Sequence, residues 1–206
     1  IGRRIMPFFI ERGVGYPVNL RNNFKIDISS LIFLLALAVI DVFWPQRIII
    51  AILSLALVFV HCWRLSGWYS AGIWTKPLLW ILFIGYGFFI VGFLLKALAA
   101  LGQRPDDSAM HAFTAGGIGL FIIGMMSRVS WGHTGRNIAE APAQLPLIFI
   151  PIVAGAFIRV FLPIVNESKY ILWIALSQLL WIVAFGLYLV FYYKVLTSPR
   201  VDGKWG

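Results

Sequence analysis

The sequence predicts an all-α polytopic membrane protein, a bundle of six transmembrane helices. Three observations carry this. Of the 206 residues, 61% are hydrophobic and only 12% charged, where soluble domains carry about 25% charged residues. The mean hydropathy is +0.89. Six apolar stretches each approach the roughly 17–25 residues that a helix needs to cross a bilayer. Lipid offers the backbone no hydrogen-bond partners, so such stretches must be helices or barrel strands. The apolar runs lack the apolar–polar alternation of barrel strands.

Lys and Arg outnumber Asp and Glu 17 to 8, for a formal charge of +9. In an apolar chain this excess points to cytoplasmic loops and the anionic headgroups of a lipid bilayer, not to nucleic acid. The single cysteine, Cys62, excludes a disulfide within the chain and a CxxC pair of thiolates.

Residues 1–27 form a basic, amphipathic opening. Arg3, Arg4, Arg12, Arg21 and Lys25 supply the charge, and Gly13, Gly15 and Pro17 break regular structure. The segment reads as a loop anchored by positive charge, with Phe8, Phe9 and Phe24 available to lie in the interface. The transmembrane domain covers 28–194, with spans at 28–44, 47–63, 77–100, 108–130, 142–165 and 170–194. Residues 195–206 are a short tail. Trp44-Pro45-Gln46-Arg47 forms a tight hairpin. Trp63, Trp68, Tyr69 and Trp74 gather at the second connection, as aromatic residues do at membrane surfaces. In the fourth span, Ala112/Gly116 and Ala115/Gly119 recur at helical spacing beside Gly117. They permit close helix contact, or leave room for a flat cofactor.

Loop charges set the orientation. The side of the amino terminus holds Arg3, Arg4, Arg12, Arg21, Lys25, Arg64, Lys76, Arg128, Arg136, Lys194, Arg200 and Lys204. The opposite side holds Arg47, Lys96, Arg104, Arg159 and Lys169. The excess places both termini in the cytoplasm, and the Asp106-Asp107 turn and His111 on the far side.

Candidate chemistry concentrates in 111–136, HAFTAGGIGLFIIGMMSRVSWGHTGR, which holds two of the three histidines. His111 and His133 are 22 positions apart. A continuous helix puts them roughly 33 Å apart on a shared face, too far to ligate one metal. Imidazole is the commonest ligand of haem and copper. His61 is the third candidate, expected at a depth similar to His133, and its neighbour Cys62 points about 100° away. Met125 and Met126 offer thioethers or pack the bundle. Arg128 and Arg136 flank the end of the fourth span, fitted to clamp an anion such as a haem propionate or to fix topology. Arg159, four residues before Pro163 inside an apolar span, is a costly charge that either faces a cavity or snorkels to the surface. Asp41 shares that ambiguity. No GxSxG, HExxH, P-loop or CxxCH motif is present, so a haem would be held without covalent attachment.

In 111–136 the chain resembles the NnrS family, bacterial haem- and copper-containing membrane proteins tied to the nitric oxide response. The match follows a His, a small-residue segment, Met-x-x-Arg-Val and Gly-His-Thr-Gly-Arg. Residues 1–9, IGRRIMPFF, resemble the family's internal Gly-Arg-x-x-Pro-x-Phe motif, and 200–206, RVDGKWG, its Arg-x-Asp-Gly ending. Pro77-Leu78-Leu79-Trp80 and Gly85-Tyr86 also fit. Phe83 stands where the family places a histidine before Gly-Tyr. Family chains also continue amino-terminally with a further hydrophobic half, so this chain is expected to correspond to a carboxy-terminal half.

The resemblance implies non-covalent haem b, copper as a second cofactor, the bacterial inner membrane, and protection against or response to nitric oxide. It carries over His111, His133 and Arg136 as site residues. A rival reading is a cofactor-less structural or assembly subunit that docks other membrane chains or a missing amino-terminal half. A third is a small-molecule or metal transporter. No reaction follows from the motifs.

Overall fold

The computed structural model describes residues 2–102 and 106–203. Arg104 and Lys204, counted above in the charge balance, lie outside them, as does the side chain of Asp106. The helices are α1 (Gly2–Gly13), α2 (Phe24–Phe43), α3 (Arg47–Gly67), α4 (Pro77–Ala100), α5 (Asp106–His111), α6 (Gly119–His133), α7 (Leu145–Val165) and α8 (Tyr170–Thr197). A π-helical segment, Ala112–Ile118, joins α5 to α6 into one span. Among the described residues there is no strand, and six helical stretches are long and apolar enough to cross a membrane. The chain is a multi-pass, all-α membrane protein.

The spans begin and end where local chemistry dictates. The Asn23 side chain accepts from the Lys25 N–H and starts α2 at Phe24, four residues earlier than hydropathy suggests. Pro77 occupies the first turn of α4, where its missing N–H costs nothing. The basic opening is not a bare loop. Its first half folds as α1, whose Met6, Pro7 and Ile10 are buried. Tyr16 then accepts the Gly72 N–H and shares a 2.6 Å hydrogen bond with Ser70, holding the opening to the turn before α4. These two contacts keep the Tyr16 phenol below its ordinary pKa.

α4 is the central post. It touches α1, α3, the whole fourth span and α7. Of its apolar stretch 56% is buried within the chain, against 6% for α2 and 17% for α8. The outer helices therefore present their apolar surface to lipid.

The seam between α4 and the fourth span is an interlock of rings and glycines. Phe88 lies against Gly116, Phe89 against Gly117 and Phe113 against Gly92, each so close that a Cβ on the glycine would fall among ring atoms. Gly124 likewise receives Ile81 and Leu82, and Gly85 receives Leu120 and Phe121. Gly116, Gly117 and Gly124 therefore serve packing along this face, while Gly119 faces Trp181 of α8. Met125 packs against the same core, while Met126 is exposed. The seam generates a prediction. Gly116→Val is expected to destabilise the protein by about 1–3 kcal/mol through overpacking against Phe88. Gly87→Ala, with open space around it, is expected to hold or raise stability. Thermal unfolding of both variants in detergent checks the pair.

Candidate functional site

The fourth span divides the bundle into two cavities. Its π segment, a wider turn often found at functional positions, starts directly after His111. The extra residue in the turn rotates everything beyond it, so the shared face computed for an unbroken α-helix does not hold. The axial gap between His111 and His133 stays at roughly 30 Å. His111, Thr114 and Ala115 face one side of the span, and Ala109, Met110 and Phe113 the other.

On the first side, α7 and α8 complete a cavity of about 460 Å³. Its polar groups come from three elements: His111 and Thr114, Arg159 on α7, and Ser177 and Gln178 on α8, with Trp181 and Ile182 as apolar wall. The His111 ring is half-buried, and among the described residues Arg159 and Asp107 are close enough to act on it. Arg159 thus faces a cavity and does not merely snorkel. Pro163 has no N–H to give the Arg159 carbonyl, so α7 lacks one backbone bond at this level. The Thr114 hydroxyl bonds back to the Met110 carbonyl at 2.8 Å. Sequence reasoning missed Ser177, Gln178 and Trp181, because nothing in an all-apolar span marks which face it turns inward.

On the other side, a cavity of about 430 Å³ lies among α2, α3, α4 and the fourth span. His61 lines it, and its Nδ1 is 2.5 Å from the Tyr86 hydroxyl while its ring stacks on Phe93. These contacts correct the expected depth of His61. Tyr86 and Phe93 sit level with Leu120 and Phe113 of the fourth span. His61 is therefore roughly 20 Å or more from His133 along the bundle axis, and the two do not form one site. Behind His61, the buried Arg64 gives Nη1 to the Tyr86 hydroxyl (3.1 Å). Its Nη2 goes to Asp27 Oδ1 (2.9 Å), Ser30 Oγ (2.7 Å) and the Ile26 carbonyl (3.2 Å). Asp27 is also paired with Arg3 at 2.6 Å. Sequence reasoning took Arg64 only as a topology charge. The signal it left unused was a second charge, Asp27, one span away. At the far end of this cavity Asp41 lines the wall and pairs with Lys96 at 3.0 Å.

The GHTGR stretch closes α6 at the end of the bundle that carries both termini. Gly135 adopts φ +80°, and a Cβ there would meet the Asp202 side chain. Val201 N–H donates to the Thr134 carbonyl (3.2 Å), and Arg200 Nη1 to the His133 carbonyl (2.8 Å). Asp202 holds the Arg200 guanidinium through two bonds of 2.9 and 2.7 Å and keeps it protonated. The His133 ring is exposed. Arg136 lies over the Trp131 ring at 5.3 Å, and among the described residues its buried Nη1 has no hydrogen-bond partner. Arg128 is buried, stacked at 3.7 Å over the Phe9 ring of α1. The structure thus separates the four residues singled out by sequence: His111 lies in the α7–α8 cavity, Arg128 under α1, and His133 and Arg136 in the terminal loop. Among the described residues, no three His, Cys, Asp or Glu side chains converge on one point. Arg200→Ala is expected to free this loop from the tail. The measurement is limited proteolysis in detergent. Faster cleavage at 134–140 with an unchanged unfolding temperature is expected; an unchanged cleavage pattern would sink the docking.

Phe83 packs against Tyr69 and Trp74, at 6.1 and 5.9 Å between ring centres, and lines neither cavity. Comparison with curated proteins and with solved structures gives no match. The family model described as NnrS protein matches residues 1–200, nearly the whole chain, and the chain belongs to the NnrS family.

Proposed function

We propose that this chain is a haem-binding membrane protein of the nitric oxide response, with His111 as the iron ligand in the α7–α8 cavity. One observation carries the reading. Two groups 48 positions apart in sequence, His111 and Arg159, converge on a single cavity at membrane depth beside a π turn. An arginine in an apolar span is expensive and marks a site for an anion or a pathway. The cavity volume falls within the about 300–1,000 Å³ usual for cofactor sites. An imidazole, a guanidinium and neutral hydrogen-bonding groups on an otherwise apolar wall fit a haem, with Arg159 as partner for a propionate.

His111 would hold the group, Arg159 orient it by charge, and Trp181 and Ile182 keep water from its face. Haem, when bound there, would supply an iron able to take up nitric oxide. Phe83 takes no donor from this cavity, so the departure from the family's histidine does not count against the reading. His133, Arg136 and Arg128 serve the terminal loop and α1 in this proposal. Copper has no assigned place. The charge balance of the loops supports both termini being cytoplasmic, and family membership supports the bacterial inner membrane.

The test is the visible spectrum of detergent-purified protein from haem-replete cells, oxidised and dithionite-reduced. The wild type is expected to show a Soret band that moves when nitric oxide is added to the reduced form. His111→Ala is expected to abolish the band and His133→Ala to leave it. Arg159→Gln is expected to weaken haem affinity ten-fold or more, as loss of about 1.5–3 kcal/mol from a charged hydrogen bond implies. A wild type without a Soret band defeats the proposal, and a band lost with His133 moves the ligand to the terminal loop.

A further inference from the structure

The α2–α4 cavity is separate from the proposed haem site and has its own chemistry. We infer that it binds a flat, uncharged, lipid-soluble ring bearing a carbonyl acceptor, which the Nε2–H of His61 holds.

The tautomer of His61 follows from its neighbours. A guanidinium only donates. Arg64 Nη1 donates to the Tyr86 hydroxyl oxygen at 3.1 Å and faces His61 Nδ1 at 3.4 Å. Nδ1 therefore accepts. The Tyr86 hydroxyl, receiving from Arg64, gives its own proton to Nδ1 across 2.5 Å. With Nδ1 an acceptor, the ring proton of the neutral imidazole is on Nε2. Both hydrogen-bond contacts of the ring within the described residues go through Nδ1, which leaves Nε2–H for the cavity. Arg64, fixed by Asp27, Ser30 and Ile26, locks this arrangement from behind.

The rest of the cavity selects the ligand class. Leu34, Leu37, Phe89, Ala109, Met110 and Phe113 supply apolar wall. Phe93 stacks on His61 with only 12° between the planes, and Phe113 meets Phe93 edge-on at 4.9 Å, so ring faces bound the space. A buried water needs two to four polar partners, and this wall offers few. At the far end Lys96 and Asp41 are already ion-paired at 3.0 Å, which disfavours an ionic ligand there. Leu34 and Met110 are 44% and 58% exposed on the outer surface of the spans, where the surroundings are lipid. Entry is therefore from the bilayer. A plain acyl chain would fill the volume but leave Nε2–H unpaired, a cost that a carbonyl removes.

The experiment uses the full chain in detergent and two probes of nearly equal shape, a dimethylnaphthoquinone and dimethylnaphthalene. The alkylated quinone ring has no free position for addition to the exposed Cys62. Binding is followed by equilibrium dialysis. Saturable binding of the quinone is expected, with the hydrocarbon about ten-fold weaker, the difference of one hydrogen bond. His61→Phe is expected to erase that preference. Ala38→Trp, at the exposed mouth of the cavity, is expected to weaken both probes while helicity and elution stay unchanged. His111→Ala is expected to bind the quinone as the wild type does, so failure of the haem proposal and failure of this one are read separately. Equal affinity for the two probes in the wild type, or quinone binding untouched by both His61→Phe and Ala38→Trp, overturns the inference.

Discussion

The rest of the structure depends on the interlock between α4 and the fourth span. Water cannot drive helices together inside a bilayer, because lipid is as apolar as leucine. Close packing has to do it, and here three phenylalanine rings occupy the space left by three glycines on facing helices. The arrangement fixes the register of the fourth span against α4. The π segment falls in this same stretch; His111, directly before it, faces α7 and α8 while Phe113, two residues on, faces the other way. One span thereby forms a wall of two different cavities. That division separates the His111 chemistry from the His61 chemistry.

The charges set into this apolar frame, of which Arg64 and Arg128 are buried, are compensated in different ways. Arg64 gathers a carboxylate, two hydroxyls and a carbonyl around its nitrogens. Asp41 and Lys96 neutralise each other. Arg128 spends its charge on the face of Phe9, an attraction that desolvation strengthens. It thereby fastens α1 to the base of α6, and the apolar face of α1 completes the core. Arg159 stands apart, since it faces a cavity beside an imidazole. The contrast distinguishes a structural charge from a candidate for chemistry: the first three have their partners within the fold.

The family motifs also divide by role. The glycine at position 135 and the carbonyls of His133 and Thr134 make the terminal loop a dock for Arg200 and Val201. Two motifs at distant points of the chain thus meet as one structural unit. Gly85 admits Leu120 and Phe121, and Tyr86 holds His61. Such stretches stand out in sequence because the backbone and small side chains are constrained there, whether or not a ligand is near.

The sequence by itself determined the six spans, the connections between them and the separation of His111 from His133 along the fourth. Those follow from apolar run length, from proline at the start of the third span, and from the fixed rise of a helix, whereas the Asn23 cap that begins α2 went unread. It also marked Arg159 and His111 as unusual, because charge and imidazole are rare in an apolar setting. It did not reveal that the two share a cavity, that α1 packs into the core, or that His61 sits far from His133. Hydropathy is nearly uniform around α4 and α8, so it carries no record of which face meets which neighbour. Only the side-chain interlock, where rings find glycines on another helix, decides rotation and depth. Those two quantities determine which polar residues meet.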